Sequence, residues 1–265
     1  MGYEERIYRT MYSDKELYHF RVIVDETDLD IAVNKDSYNE GLRKKTEAFV
    51  YAQRRIIQEY IKLDPAFLGA LKPHNPQNGA PAIIRKMCES AKMAAVGPMA
   101  AIAGLLSETV GNFLTGHSDN IIVENGGDIW LKSTKTRIVA IYAGDSTLSC
   151  RIGLEVSPER TPLGICTSSG TVGHSLSFGK ADAVVILALS AVLADAVATA
   201  ACNMVQTVHD LEKAVRFACG IKGVTGAAAI IDDRLAVFGD IKLIPIEFAR
   251  REEAPSDRGA KDDDY

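Results

Sequence analysis

The sequence lacks the cysteine patterns that mark secreted and zinc-binding proteins. It has five cysteines in 265 residues, and no two of them stand in a Cys-x-x-Cys spacing. An odd number of cysteines without that spacing is atypical of a disulfide framework or a zinc site, so reduced thiols are the simplest interpretation. The first residues include Glu4 and Glu5 and no apolar core, which argues against a signal peptide. We therefore expect a cytoplasmic protein.

Basic runs and uninterrupted membrane-length segments are also missing. The net charge is −5 and no cluster of Lys and Arg stands out, which argues against a nucleic-acid partner. Residues 183–202 are nearly all apolar and approach the length of a membrane span, but Asp195 lies inside them, and a carboxylate within a bilayer is costly. The β-branched start of this segment favours a buried strand, and Ser190 then favours the N-cap of a buried helix.

The remaining pattern predicts an α+β domain over residues 1–250, with a largely antiparallel sheet packed by helices, and a charged, disordered tail over 251–265. Ala- and Gly-rich stretches at 91–104 and 194–201 permit close helix packing, which is compatible with a homo-oligomer. Strands are predicted at 18–24, 29–33, 120–124, 128–132, 136–142, 150–156, 183–187, 226–231 and 234–239, and the three within 120–142 are predicted to form a meander. Helices are predicted at 41–62, 82–95, 98–115, 190–206 and 208–218.

Three segments carry residue types suited to ligand chemistry. The first is Asn125, Gly126, Gly127 and Asp128, where two glycines between strands permit a tight turn. A plain hairpin explains this pattern. Alternatively, the Asn and Asp side chains, together with the exposed glycine backbone between them, bind a planar polar ligand.

The second segment, residues 166–177, is rich in Ser, Thr and Gly. Its amides and hydroxyls suit phosphate or carboxylate oxygens, although a surface loop has the same composition. Cys166 beside it raises the hypothesis of a nucleophile with His174 as its base, against the alternative of a buried structural thiol. The candidate ligand-binding residues here are Thr167, Ser168, Ser169, Gly170 and Thr171.

The third segment is the apolar helix that carries Asp195, Thr199 and Asn203 at i, i+4 and i+8, which places them on one face. A buried carboxylate needs a partner. Mg²⁺ prefers the oxygen ligands that Asp195 and Thr199 offer. The alternative is a structural bond from Asp195 to a neighbouring backbone group.

Together the three segments resemble the ApbE-like superfamily, whose best-known members are FAD:protein FMN transferases. The matching residues are 125–128, 167–170 and 194–200, and the additional stretches 97–101, 123–128, 166–177 and 180–182 resemble a prokaryotic branch of that superfamily. The resemblance covers roughly residues 15–245. The lysine-glycine segment of the transferases and their His-Ile-x-Asp-Pro stretch are not found in this sequence.

This resemblance implies duplicated T-fold-like halves with a ligand between them, Mg²⁺ on Asp195 and Thr199, FAD or FMN as cofactor or substrate, and a protein acceptor. Three functions stay open. The first is a Mg²⁺-dependent transferase or hydrolase acting on a flavin nucleotide or a related anionic ligand, with Asp195 in the catalytic site. The second is a non-catalytic binding protein that keeps the same pocket. The third is a thiol-dependent protein of sulfur assimilation that uses Cys166.

Overall fold

The computed structural model describes residues 16–172 and 177–247. Eleven strands and six helices lie within these ranges. The strands are β1 (Leu17–Val24), β2 (Thr27–Asn34), β3 (Ile121–Asn125), β4 (Asp128–Lys132), β5 (Arg137–Ala140), β6 (Ile152–Val156), β7 (Leu163–Ser168), β8 (Ala183–Ala188), β9 (Val224–Ile231), β10 (Arg234–Gly239) and β11 (Leu243–Pro245). The helices are α1 (Glu40–Leu63), α2 (Pro65–Gly69), α3 (Ala82–Ala94), α4 (Ile102–Leu114), α5 (Ala191–Met204) and α6 (Leu211–Cys219).

The main sheet consists of two similar halves joined edge to edge. Its strand order is β1-β2-β3-β4-β7-β8-β9-β10, and every neighbouring pair is antiparallel. In the first half, α1 to α4 connect the second strand to the third. In the second half, α5 and α6 connect the corresponding strands β8 and β9. The predicted α+β class is confirmed, and the two halves have the repeated strand–helix–strand order expected of a duplication.

The sheet is covered on both faces at β8, which explains the uninterrupted apolar run of this strand. Val184 and Ile186 pack with the helices, whereas Val185 and Leu187 pack against a second sheet of order β11-β6-β5. Successive strand residues point to opposite faces, so a strand covered on both sides shows no polar alternation. The predicted division of residues 183–202 into a buried strand and a buried helix is confirmed.

The length and hydropathy of the helices show whether any of them could span a membrane. In residues 16–172 and 177–247, no single helix is long and apolar enough to cross a membrane. Helix α3 and the segment Pro98–Leu114 pass that test only as a joined pair, which is bent by 103°.

Two sequence predictions about strands were wrong. The segment 136–142 does not extend a meander, because β4 pairs with β7, and β5 pairs instead with β6 in the second sheet. No strand was predicted within the Gly/Ser-rich stretch 163–180, but its first six residues form β7. Their small side chains serve close packing, since a Cβ on Gly164 would lie 2.4 Å from the Cα of Ala191 at the start of α5.

A buried carboxylate fixes the loop that follows α2. Asp64 Oδ2 accepts hydrogen bonds from the Tyr60 hydroxyl at 3.1 Å and from His74 Nε2 at 2.7 Å, and the Tyr60 oxygen accepts the N–H of Gln77 at 2.9 Å. The hydrogen bond from His74, more than burial, determines the pKa of Asp64, which lies below its ordinary value of 3.8.

We expect Asp64→Asn to lower the free energy of unfolding at neutral pH by about 1–2 kcal/mol. Because the pKa of Asp64 is lowered by folding, the contribution of its charge is complete above about pH 4 and is lost as the pH falls through the folded-state pKa. Urea unfolding from pH 2.5 to 7 measures this. The deficit of the variant should be constant above about pH 4 and should shrink below it. A deficit that does not change with pH would contradict the assignment.

Candidate functional site

The β3–β4 hairpin places the first predicted segment. Gly126 and Gly127 have φ angles of 68° and 100°, as a tight turn between these strands requires. Glu124 Oε1 accepts the N–H of Gly127 at 2.7 Å and so fixes the turn. The missing Cβ of Gly127 would lie 3.8 Å from the carbonyl oxygen of Thr167, which brings the turn against the end of β7.

Asp128 opens β4 and lies opposite Cys166 of β7 in the ladder. Its side chain is buried, with 7% of the residue exposed. Burial raises the pKa of Asp128 well above its ordinary value, and the charge of Asp195 raises it further. Within the part of the chain that the structure describes, Asp128 Oδ1 has no hydrogen-bond partner. A buried polar atom without a partner is rare, and it is the strongest local indication of a ligand at this position.

Asp195 lies on α5 and bonds to the first turn of α4. Its Oδ2 accepts the N–H of Gly104 at 2.8 Å. The N-terminal amides of a helix have no partners within that helix, so Asp195 supplies one here. This contact is the bond to a neighbouring backbone group that the sequence analysis gave as the alternative to a metal ligand. Burial raises the pKa of Asp195 to about 7, and the backbone N–H groups of Gly104 and Ala103 partly oppose that rise.

The first turn of α4 connects the first and third segments. Asn125 Nδ2 donates to the carbonyl oxygen of Ala103 at 3.3 Å, while Asp195 accepts from the adjacent Gly104. A Cβ on Gly104 would lie 2.2 Å from the carbonyl oxygen of Ala191, so glycine permits this approach of α4 to α5. Asn125, Asp128 and Asp195, distant in sequence, thus lie around one helix end.

The polar face of α5 runs from this helix end toward the Ser/Gly segment. Thr199 is half-buried and lies one turn beyond Asp195. Asn203 follows after another turn, and its Oδ1 accepts the N–H of Phe178 at 2.8 Å and the hydroxyl of Ser177 at 3.2 Å. The face therefore carries Asp195 at the α4 N-terminus, Thr199 one turn further along, and Asn203, which anchors the segment at 177–178.

The Ser/Gly segment differs from the open phosphate cradle that its composition predicts. Thr167 and Ser168 belong to β7. The N–H of Gly170 donates to Ala181 O at 2.9 Å, and the amides of Thr171 and Val172 donate to Ser169 Oγ at 3.0 and 2.9 Å. These three amides are therefore used within the segment and its neighbour rather than directed at a ligand. His174, the predicted base, lies outside the described residues.

The surroundings of Cys166 favour a structural thiol. The side chain is fully buried, and its Sγ donates to Ala191 O at 3.3 Å. Burial raises the pKa of this thiol well above its ordinary value, and the charges of Asp128 and Asp195 raise it further. A nucleophilic cysteine needs an electropositive setting that lowers the pKa, and Cys166 has the reverse.

Glu108 of α4, which was not predicted from the sequence, holds the start of α5 in place. Its Oε2 accepts the hydroxyl of Ser190 at 2.7 Å and the N–H of Val192 at 3.3 Å, and its Oε1 bonds to Lys86 Nζ. Glu108, rather than Ser190, thus caps the start of α5. The available signal was the single charged residue in the mostly apolar stretch 101–110, because a buried carboxylate needs a partner.

The oxygen atoms of Asp195 and Thr199 determine whether this site can bind a metal ion. Nowhere in residues 16–172 and 177–247 do three His, Cys, Asp or Glu side chains come together as a ready metal site. Mg²⁺ does not require such a cluster, because it usually binds one or two carboxylates and completes its shell with water and substrate phosphates. Asp195 with Thr199 therefore fits Mg²⁺ only when a phosphate ligand supplies further oxygens.

Solved structures share this architecture. The ApbE protein of Thermotoga maritima matches with a TM-score of 0.52 at 13% identity, over 83% of this chain and 96% of that one. The flavinyl transferase ApbE of Pseudomonas stutzeri matches with a TM-score of 0.50 at 14% identity, over 84% of this chain and 94% of that one. The fold is therefore that of the ApbE flavin transferases, and at these identities the likeness extends to the fold alone.

Comparison of the sequence with protein families and with related sequences identifies the family of this chain. The model of the family described as AbpE bacteria matches residues 9–223, and the chain belongs to that family. A UPF0280 protein of Methanocaldococcus jannaschii is 38% identical over 226 residues, which cover 83% of this chain and 90% of that relative. The resemblance drawn from the three segments is confirmed at the level of family and fold.

Proposed function

We propose that this protein is a Mg²⁺-dependent enzyme that binds FAD, FMN or a related phosphate ligand between the β3–β4 turn and α5. Its reaction breaks the pyrophosphate bond of a dinucleotide such as FAD: the FMN phosphorus forms a bond to a hydroxyl oxygen of a protein acceptor or of water, that hydroxyl loses its proton, and AMP leaves. The Pseudomonas stutzeri structure is named a flavinyl transferase, and that name supplies the flavin part of the proposal.

The observation that carries the proposal is the arrangement of Asp128 and Asp195. Two buried carboxylates lie close enough for the charge of one to raise the pKa of the other, and Asp128 Oδ1 is the atom without a partner among the described residues. Like charges in a buried site are unfavourable unless a cation or hydrogen-bond donors compensate them. A ligand with a divalent cation supplies both.

Each side chain has a separate role. Asp195 and Thr199 would hold Mg²⁺, which neutralises pyrophosphate charge when it is bound. Asp128 Oδ1 hydrogen-bonds a polar edge of the ligand beside the Gly127 backbone. Asn125 holds the first turn of α4, whose N-terminus favours negative charge. The Thr167 side chain borders the same turn, because its Cβ lies 3.9 Å from the position of a Cβ on Gly127.

Cys166 has no chemical role in this proposal. A thiol that is buried, bonded to Ala191 O and raised in pKa is a poor nucleophile at neutral pH. We assign it to the packing of β7 against α5.

Isothermal titration with FAD, FMN and ATP, each with Mg²⁺ and with EDTA, tests this function. We expect FAD to bind with Mg²⁺ and to bind at least about tenfold more weakly in EDTA. Incubation of the complex with cell extract, followed by chromatography for AMP and for flavin attached to protein, then separates transfer from simple binding. Failure of all three nucleotides to bind under either condition would overturn the proposal.

A further inference from the structure

The strand β10 forms one edge of the main sheet. Within the described residues it is the last strand in the order, and it pairs with β9 from Arg234 to Gly239 without a register shift. A strand at a sheet edge presents unpaired N–H and C=O groups to which another strand can bind. The free side of β10 is therefore a candidate interaction surface.

The hydrogen bonds between β10 and β9 determine which backbone groups face that free side. The N–H of Asp240 donates to Thr225 O at 2.7 Å, so these two residues form a hydrogen-bonded pair across the strands. Hydrogen-bonded and non-hydrogen-bonded pairs alternate along an antiparallel ladder. Leu235 and Val237 consequently fall in non-hydrogen-bonded pairs, and their N–H and C=O groups point away from β9.

The side chains of β10 are apolar on both faces of the sheet. Leu235 and Val237 lie on one face, and Ala236 and Phe238 lie on the other, where the Arg216 guanidinium of α6 is 4.5 Å from the Phe238 ring. Leu235, Val237 and Phe238 are 37%, 40% and 39% exposed. A strand that pairs with β10 would therefore cover apolar surface on both faces as well as backbone groups.

The sequence of β10 has none of the devices that usually protect a sheet edge. Charged side chains, proline and bulges keep exposed edges from pairing. Residues 235–239 contain neither a charge nor a proline, and the ladder to β9 is regular. By contrast β1, at the opposite edge, carries Arg21 near its middle, with Arg21 Nε 2.6 Å from Asp28 Oδ1. Of the two edges, β10 is the one suited to pairing.

The charges at the two ends of β10 favour a second copy of this chain as the partner. Arg234 begins the strand and Asp240 follows its end, and their side chains are 70% and 82% exposed. Val237 lies midway between them. If two copies of β10 pair antiparallel about a two-fold axis at Val237, Arg234 of each copy lies opposite Asp240 of the other. Opposite charges at facing positions stabilise a strand pair, so the edge is complementary to itself.

The same register also matches the backbone and the apolar side chains. The outward N–H and C=O groups of Val237 meet those of Val237 in the second copy, as a hydrogen-bonded pair requires. Ala236 then lies opposite Phe238 of the second copy, which places a small side chain against a large one.

The alanine-rich stretch that is compatible with an oligomer in the sequence does not supply this surface. Ala194, Ala196 and Ala198 of α5 are at most 1% exposed, because they pack within the core of their own chain. The free edge of β10 is a different part of the molecule.

We propose that this protein forms a symmetric dimer in which two β10 strands pair antiparallel about Val237 and join two eight-stranded sheets edge to edge. The proposal does not depend on the proposed function. In the strand order β10 lies four strands from β4, which carries Asp128.

Sedimentation equilibrium of the full chain at about 1–100 µM tests the dimer. We expect the parent to be dimeric at the upper end of this range. Val237→Lys places two like charges beside the two-fold axis and should weaken the dimer at least about tenfold. Ile23→Lys makes the same kind of change on β1, where the side chain is 52% exposed, and should leave the dimer unchanged. Thermal unfolding checks that both variants are folded.

A pair of charge reversals tests the register. Arg234→Asp and Asp240→Arg each bring like charges together when the variant pairs with itself, so each alone should associate at least about tenfold more weakly than the parent. A mixture of the two variants in equal amounts restores both opposite-charge pairs in a mixed dimer and should associate more strongly than either variant alone.

Three results would overturn the proposal. The first is a parent that stays monomeric at about 100 µM, which would leave the edge to a strand of another protein. The second is a Val237→Lys variant that dimerises as the parent does, which would place the dimer contact elsewhere. The third is a mixture of the charge variants that associates no better than its components.

Discussion

Replacement of Asp195 by Asn is expected to weaken Mg²⁺-dependent binding of FAD by at least about 100-fold while the protein stays folded. Loss of a group that merely orients a metal ligand already lowers metal affinity about 10- to 100-fold, and Asp195 is proposed as the ligand itself. The fold should persist because an Asn side chain keeps an oxygen that can accept the N–H of Gly104, which is now 2.8 Å from the carboxylate.

Two substitutions of Thr199, one that removes the hydroxyl and one that keeps it, test the second proposed metal ligand. Thr199→Val keeps the shape of the side chain but removes the hydroxyl, so it should weaken binding in Mg²⁺, whereas Thr199→Ser keeps the oxygen and should bind nearly as the parent does. Circular dichroism and urea unfolding check that each variant is folded. If Asp195→Asn binds FAD with Mg²⁺ as tightly as the parent, Asp195 is only the cap of α4, and the metal assignment is wrong.

The two features that local chemistry determines were predictable from the sequence. Two glycines between strand-like runs favour a hairpin turn, and Gly126 and Gly127 adopt the positive φ angles that such a turn requires. The change from β-branched residues to alanine-rich sequence near Ser190 likewise separates β8 from α5. In both cases a few neighbouring residues contain the whole signal.

Features that depend on distant partners were not predictable in this way. Periodicity identifies β5 as a strand but does not say that it pairs with β6 in a second sheet instead of with β4. The strand β7 was not predicted, because Gly164 has low strand propensity and its role, the close approach to Ala191, depends on a residue far along the chain. Small residues there give the composition of a loop.

The candidate site was only partly predictable for the same reason. Asn125, Asp128 and Asp195 were identified from residue type and family resemblance, and the structure brings them to one helix end. Which amides remain available to a ligand depends on their partners. The composition of the segment suggests that the amides of Gly170 and Thr171 are available to a ligand. In the structure they donate hydrogen bonds to Ala181 O and Ser169 Oγ instead. Glu108 was missed because its partners, Ser190 and Val192, lie more than eighty residues further along the chain.

Gly104→Ala is expected to lower the free energy of unfolding by about 3 kcal/mol, since inserting a methyl group into close-packed structure forces the backbone to move. The added Cβ would lie 2.2 Å from Ala191 O and 2.8 Å from the Cβ of Asp195, and both atoms belong to the rigid helix α5. In a chain of this size the melting temperature should fall by roughly 6–12 °C. Gly69→Ala is the matched control, because a Cβ there meets nothing within 4 Å and alanine favours a helix.

The same substitution connects stability to the site. Because α4 must move away from α5, the N–H of Gly104 leaves Asp195, and the carboxylate loses a bond that opposes its raised pKa. We therefore expect Gly104→Ala to weaken Mg²⁺-dependent FAD binding even at a temperature at which it is fully folded, whereas Gly69→Ala changes neither property. Thermal unfolding and titration at 15 °C measure both effects. A Gly104→Ala protein that is as stable as the parent would show that α4 and α5 are not in the close contact from which the whole site is built.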